Sequence, residues 1–112
     1  MSAAATRLLD DHPEVTAVIA PQELSAVGVL RACHARGMTI PHDLSLIAMI
    51  GDSMSELATP PLTTIDFPAE ELGRTAARNL VDRLDSGDAT LRQVFIRPGL
   101  TIRGTTAPPA AR

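Results

Sequence analysis

Two short polar segments of the chain carry the side chains best suited to bind a small polar ligand. Gln22 and Glu23 follow the first apolar run, and Met49, Asp52 and Ser53 lie at the end of the second. An amide both donates and accepts hydrogen bonds and a carboxylate accepts them, so together they suit the hydroxyl groups of a sugar or another polyol. The alternative is that Gln22 and Glu23 only cap or flank a helix.

The remaining reactive side chains lack the spacing of a catalytic or metal site. The single cysteine, Cys33, excludes an internal disulfide and most structural zinc sites, and the three histidines are scattered along the chain. The Gly-x-Ser-x-Gly pattern of serine hydrolases and the glycine-rich phosphate loops are both absent. We therefore predict no catalytic residues, no metal and no cofactor. A small α/β enzyme is the weakest of three functional hypotheses.

Length and composition restrict the class of protein. The 112 residues allow one domain or part of one. No apolar run approaches the roughly 20 residues of a membrane span, and the N-terminus lacks the pattern of a secretory signal, so we expect a cytoplasmic protein with no membrane partner. The formal net charge is −3, and all ten basic residues are dispersed arginines. This stretch is therefore not expected to bind nucleic acid directly.

The hydrophobic pattern predicts an α/β fold with a parallel sheet. Val15–Ala20 and Leu44–Ile50 are continuous apolar runs of the kind found in strands buried on both faces. Between them, residues 24–36 have helical periodicity, and Gly37 is placed to end that helix. A strand, a helix and a strand joined by short loops form a right-handed parallel unit. Ligands bind at the carboxyl ends of such strands, where both polar segments lie.

The remaining elements follow from the same patterns. We predict a short helix over 3–11, an extended run over 62–66, a long helix from Pro68 to about Asp85, and two short strands over 93–97 and 100–103. The long helix carries an apolar stripe at every fourth position, formed by Leu72, Ala76, Leu80 and Leu84. Such a stripe has to be buried against another surface.

Four segments of the chain carry a family resemblance. They are APQELSAVG (Ala20–Gly28), RGMTIPHDLSLI (Arg36–Ile47), TPPLTTI (Thr59–Ile65) followed by PAEELG (Pro68–Gly73), and RPGLTIRGTT (Arg97–Thr106). In order and spacing they resemble the lactose/galactose repressor (LacI/GalR) family of bacterial transcription regulators, over Leu8 to Pro109. One such segment would be weak evidence, whereas four in the right order are strong.

The resemblance implies a specific architecture. Members of the family have a sensor of two α/β subdomains joined by three crossovers, like the periplasmic sugar-binding proteins. Residues 1–104 then form the C-terminal portion of that sensor, with about 13–62 and 92–104 in the C-terminal subdomain, about 63–91 as a crossover and a helix of the N-terminal subdomain, and 105–112 as a flexible tail. The family's helix-turn-helix headpiece and leading subdomain are not in this sequence, so DNA would be contacted only through that headpiece.

The resemblance also assigns roles to the polar segments. Gln22 and Glu23 occupy the family's Asn-Asp positions. At the second segment, Ala48-Met49-Ile50-Gly51 stands where members usually have Gly-[Phe/Tyr]-Asp-[Asp/Asn]. The acid that would bind sugar hydroxyls is thus replaced by Ile50, and Asp52 could substitute for it two positions later. A sugar effector, a less polar ligand and no ligand at all remain open.

The first functional hypothesis is the effector-sensing and dimerisation part of a transcriptional repressor that lacks its headpiece. The second is a solute-binding protein of an uptake system with the same fold, which would have a signal peptide or a lipoprotein cysteine upstream where the repressor has a helix-turn-helix. In the family, the stripe of the long helix packs on the sheet of the N-terminal subdomain. Without it, the helix either folds onto this chain's own sheet or is shared between copies. We predict self-association, as a homodimer or a higher oligomer.

Overall fold

The computed structural model describes residues 2–88 and 90–110 and confirms the predicted α/β class. In chain order, the elements are α1 (Ser2–Asp11), β1 (Ala17–Ala20), α2 (Glu23–Ala35), β2 (Ser45–Ala48), α3 (Asp52–Leu57), β3 (Thr63–Asp66), α4 (Ala69–Ser86) and β4 (Gly99–Thr101). The four strands form one sheet in the order β1-β2-β3-β4.

The parallel pairing of the first three strands places their carboxyl ends together. Ala20 pairs with Ala48 across β1 and β2, and Ala48 pairs with Thr64 across β2 and β3. The carboxyl ends of all three strands therefore lie at one edge of the sheet, which we call the carboxyl edge. The residues that follow each strand begin there.

Strand β2 and helix α2 provide most of the core. Leu44 and Leu46 are completely buried, and they pack in one cluster with apolar side chains of α2 such as Val29 and Cys33. Helix α2 ends as predicted, because Gly37 adopts a left-handed conformation with φ of 65° that a side chain would disfavour. Arg36 then ties α2 to α1 by donating to the carbonyl of Thr6 at 3.0 Å.

The described chain divides into two compact units. One contains Met1–Asp66 and Leu100–Arg112, and the other contains Phe67–Gly99. The chain therefore leaves the first unit after Asp66 and returns at Leu100, whereas the sequence placed these boundaries after residues 62 and 91. At the first boundary, the difference arises because Thr63 and Thr64 of β3 pair with Ile47 and Ala48 of β2 in the sheet of the first unit.

Helix α4 belongs to the second unit and has clear start and stop signals. Glu70 and Glu71 lie in its first turn, where their charge suits the helix dipole, and Gly87 caps its end in a left-handed conformation. None of its residues, all of which the structure describes, is buried. In the predicted stripe, Leu72 is half-buried and Ala76 is exposed. Leu80 and Leu84 are 58% and 74% exposed.

The C-terminal part of the chain differs from the sequence-based expectation in two respects. Residues 93–97 form no strand, and only Gly99–Thr101 does. Thr105 is completely buried, and the backbone N–H of Ala107 donates to the hydroxyl of Ser45 at 3.1 Å. Ordered structure therefore extends beyond position 105, where we expected a flexible tail to begin. The reason is that Thr105 supplies hydrogen bonds to both β2 and β3.

Candidate ligand site at the carboxyl edge

The first polar segment directly follows β1. Gln22 is the N-cap residue of α2, with an extended backbone, and its side chain makes no capping hydrogen bond. Its backbone carbonyl accepts the N–H groups of Ser25 and Ala26, both at 3.1 Å. The N–H groups of Ser25 and Ala26 are thus paired without a side-chain cap, and the side chain of Gln22 is exposed to solvent. The exposed Glu23 lies in the first turn, where a carboxylate is also favourable for the helix itself.

The second polar segment follows β2. Met49 is half-buried, and its N–H donates to the carbonyl of Ala20 at 3.0 Å, so the two strand ends are directly joined. Asp52 and Ser53 begin α3 and are both exposed. Among the described residues, no hydrogen bond joins Gln22 to the side chains of Asp52 or Ser53. The side chains of the two polar segments are therefore not joined directly to each other.

Ile50, which stands where the family usually has an acid, packs between α2 and α3. It lines an apolar cavity of about 190 Å³ between α2 and α3, together with Val27, Leu30, Met54 and Leu57. It also packs against the buried core as a partly buried residue. Glu23, at the start of α2, lines the same cavity, and Asp52 begins α3 two positions after Ile50.

The structure adds four residues that the sequence analysis did not predict. Around the end of β3, Thr64, Asp66, Thr101 and Arg103 form a hydrogen-bonded group that includes Asp52, and we call these five residues the β3-edge network. Thr64 and Thr101 donate to the two carboxylate oxygens of Asp66 at 2.7 and 2.5 Å. Because both oxygens of Asp66 already accept hydrogen bonds, this carboxylate is engaged in structure.

Arg103 is at the centre of the β3-edge network. Its Nη1 donates to the hydroxyl of Thr64 at 2.7 Å and to the carbonyl of Leu62 at 3.0 Å. Its Nη2 donates to Oδ1 of Asp52 at 3.3 Å. The Arg103 side chain is only 15% exposed, whereas that of Asp52 is 75% exposed. One oxygen of the Asp52 carboxylate thus contacts Arg103, and most of the side chain is exposed to solvent.

The electrostatics distinguish the two acids of this network. The hydroxyl of Thr101, followed by that of Thr64, holds the pKa of Asp66 below its ordinary value of 3.8, because both donate to the charged form. Asp66 is therefore ionised at neutral pH and contributes a fixed negative charge beside Arg103. Asp52 is the acid of the network whose side chain remains mostly exposed to solvent.

The described part of the chain gives little support to a metal site or a reactive cysteine. Within residues 2–88 and 90–110, no three histidine, cysteine or acidic side chains converge to hold a metal ion. Cys33 is buried in the core, and that burial raises the pKa of its thiol, which disfavours the reactive thiolate. The helices in this range include none long and apolar enough to cross a membrane.

Comparison with known proteins connects this architecture to regulators. The periplasmic binding protein-like domain model matches residues 1–106. The HTH-type transcriptional regulator CelR of Thermobifida fusca is 39% identical over 88 residues, which are 79% of this chain and 26% of CelR. The chain thus spans about a quarter of that relative's length.

Solved structures show the same likeness. A transcriptional regulator CelR–cellobiose complex superposes with a TM-score of 0.84 at 33% identity, over 93% of this chain and 32% of that one. A LacI family transcriptional regulator from Arthrobacter sp. FB24 in complex with lactose gives a TM-score of 0.78 at 32% identity, over 95% of this chain and 41% of the other. The predicted fold and family are confirmed.

Proposed function

This chain belongs to the periplasmic binding protein-like domain family, and on that premise we propose that it is the C-terminal, effector-sensing part of a LacI-family transcription regulator. The observation that supports this most directly is the parallel sheet whose carboxyl edge carries exposed polar side chains after both β1 and β2. In parallel α/β sheets, this edge is where ligands bind.

We propose that the effector is a small polyhydroxylated molecule. Two similar regulators are described with cellobiose and with lactose bound. In this chain, the amide of Gln22 would approach the ligand from the β1 side, and the carboxylate of Asp52, with Ser53 beside it, would approach from the β2 side. Glu23 and Met49 would border the same opening. Since Ile50 has no polar atom in its side chain, Asp52 would take over the acceptor role.

The proposed mechanism is a shift between two sensor states. An effector that binds one arrangement of the sensor more tightly raises its population, and the DNA-binding part of the whole protein responds. DNA contact would come from a headpiece outside this chain. Because the regulator works on DNA, the proposed location is the bacterial cytoplasm. The relatives are transcription regulators, which favours this role over uptake of solutes and over catalysis.

The exposed stripe of α4 supports a second component of the proposal, which is self-association. Leu80 and Leu84 present apolar surface to solvent, and burying such surface stabilises by roughly 25 cal/mol per Å². We propose that copies of this isolated chain cover the stripe for each other.

The test uses the whole regulator that contains this chain. Thermal unfolding and operator binding are measured with cellobiose, lactose and ribose in turn. We expect one of these sugars to raise the melting temperature and to change the affinity for DNA. Asp52→Asn should then weaken that sugar about 10- to 100-fold, because a hydrogen bond to a charged group contributes about 1.5–3 kcal/mol.

Glu56→Gln is the matched control. Glu56 is also an exposed acid on α3, and its substitution changes the charge by the same amount, so it should leave sugar affinity unchanged. If none of the sugars alters stability or DNA binding, the assignment of a sugar effector is wrong. Equal effects of the two substitutions would exclude Asp52 as a ligand contact.

A further inference from the structure

A hydrogen bond joins the two places where the chain leaves and re-enters the first unit. The chain leaves this unit after Asp66 and returns at Leu100. The hydroxyl of Thr101, one residue after the return, donates to Oδ2 of Asp66 at 2.5 Å. Both connecting segments are therefore fixed at a single carboxylate.

Arg103 adds further hydrogen bonds near this point, on two sides. Toward β3, its guanidinium donates to Leu62 and Thr64, and its backbone N–H donates to the hydroxyl of Thr63 at 3.0 Å. Toward α3, it reaches Asp52 at 3.3 Å. A planar guanidinium can hold partners on both sides at once, because its five N–H groups have fixed directions.

We propose that Arg103 is a positioning residue that couples Asp52 at the carboxyl edge to the two segments joining the units. A displacement of the Asp52 carboxylate shifts the guanidinium. The guanidinium and Asp66 are both bonded to the hydroxyl of Thr64, so the displacement reaches the point where the connecting segments meet. That Asp52 is displaced by an effector rests on the proposed function, whereas the coupling itself does not.

The geometry explains why Arg103 is suited to this task. Its side chain is 15% exposed, so its bonds to Leu62 and Thr64 are shielded from water. Its bond to Asp52 is longer and ends on a side chain that is 75% exposed. The inner contacts are thus the stable ones, and the outer contact can be broken without unfolding the segment.

The test measures hydrogen exchange of the 112-residue chain by mass spectrometry, without any ligand. Asp52→Asn removes the charge that holds the outer side of Arg103. We expect the peptides covering 62–66 and 100–104 to exchange about two- to fivefold faster, the range set by loss of a weak, partly exposed ion pair. Glu56→Gln makes the same charge change on the same helix, and it should leave both peptides unchanged.

A double substitution isolates the role of Arg103. In an Arg103→Gln background, Asp52→Asn should have no additional effect on these peptides, whereas an Arg103→Lys background should retain part of it. Should Arg103→Gln fail to fold, the comparison of Asp52→Asn with Glu56→Gln in the native background still decides the matter. Equal exchange in those two variants would overturn the proposal. Failure of every sugar to bind would refute the proposed effector and leave this coupling intact.

Discussion

Replacing Thr105 by valine should destabilise the chain more than replacing it by serine. The Thr105 hydroxyl donates to the carbonyl of Leu46 at 2.6 Å and accepts the N–H of Thr63 at 2.8 Å. It therefore bridges β2 and β3 at a position that is completely buried. Thr105→Val keeps the shape of the side chain and removes both hydrogen bonds, whereas Thr105→Ser keeps the hydroxyl and removes one methyl group.

The magnitude follows from what each variant leaves behind. Thr105→Val leaves a buried carbonyl at Leu46 and a buried N–H at Thr63 unpaired, and each such group costs about 1–3 kcal/mol. With partial relaxation, we expect a loss of about 2–4 kcal/mol in the free energy of unfolding. Thr105→Ser should cost only about 1 kcal/mol, the value for one buried methyl group. The backbone bond from the Leu46 N–H to the Thr105 carbonyl is retained in both variants.

Urea denaturation followed by circular dichroism measures both values. A marginally stable domain has only about 5–15 kcal/mol in total, so the valine variant should unfold at a visibly lower urea concentration. The reasoning would be refuted if the valine variant were as stable as the parent, or if serine were the more damaging substitution. Either result would mean that the methyl group of Thr105 matters more than its hydroxyl.

Three further predictions concern other parts of the chain. The pKa of Asp66 is lowered, so its contribution to stability is present above pH 3.8 and is lost as the pH falls through the folded-state pKa. Asp66→Asn should therefore reduce the loss of unfolding free energy at acid pH, as measured by urea denaturation at a series of pH values. An unchanged dependence of the unfolding free energy on pH would contradict this. Cys33, which is 1% exposed, should resist iodoacetamide in the native chain and react in urea, and equal rates would show that the core opens readily. The isolated chain should sediment as a dimer or larger species at micromolar concentration; Leu80→Glu should release monomers and Arg78→Gln, with the same charge change, should not, whereas a compact monomeric parent would refute self-association.

Helices α1, α2 and α4 and the three parallel strands could be predicted because their signals are local. Apolar runs and helical periodicity are read within a few residues, and Gly37 and Gly87 mark helix ends through their left-handed backbone. The strand predicted over 93–97 is absent, because forming a strand depends on a partner that the local sequence does not reveal. Its residues have strand propensity, but a strand forms only beside a hydrogen-bonding neighbour, and Phe95 is 87% exposed.

The β3-edge network could not be predicted in the same way, because its members are far apart along the chain. The bond from Arg103 to Asp52 joins residues 51 positions apart. The sequence did mark part of this region, because two of the segments that carry the family resemblance, TPPLTTI and RPGLTIRGTT, lie side by side in the structure. Gly104 fits there because a side chain would come within 3.1 Å of Pro60, while its N–H donates to the carbonyl of Pro61 at 2.8 Å.

The replacement of the usual acid by Ile50 has a structural consequence for the whole site. At the family's position, an acid would lie two residues after the end of β2, close to a strand that holds it in place. Asp52 instead begins a short helix, and its carboxylate is held by Arg103. Its placement therefore depends on a side chain that also binds β3 and lies in the segment returning from the second unit. If Asp52 is the ligand-binding acid, as we propose, moving the acid by two positions makes its placement depend on the residues where the chain leaves and re-enters the first unit.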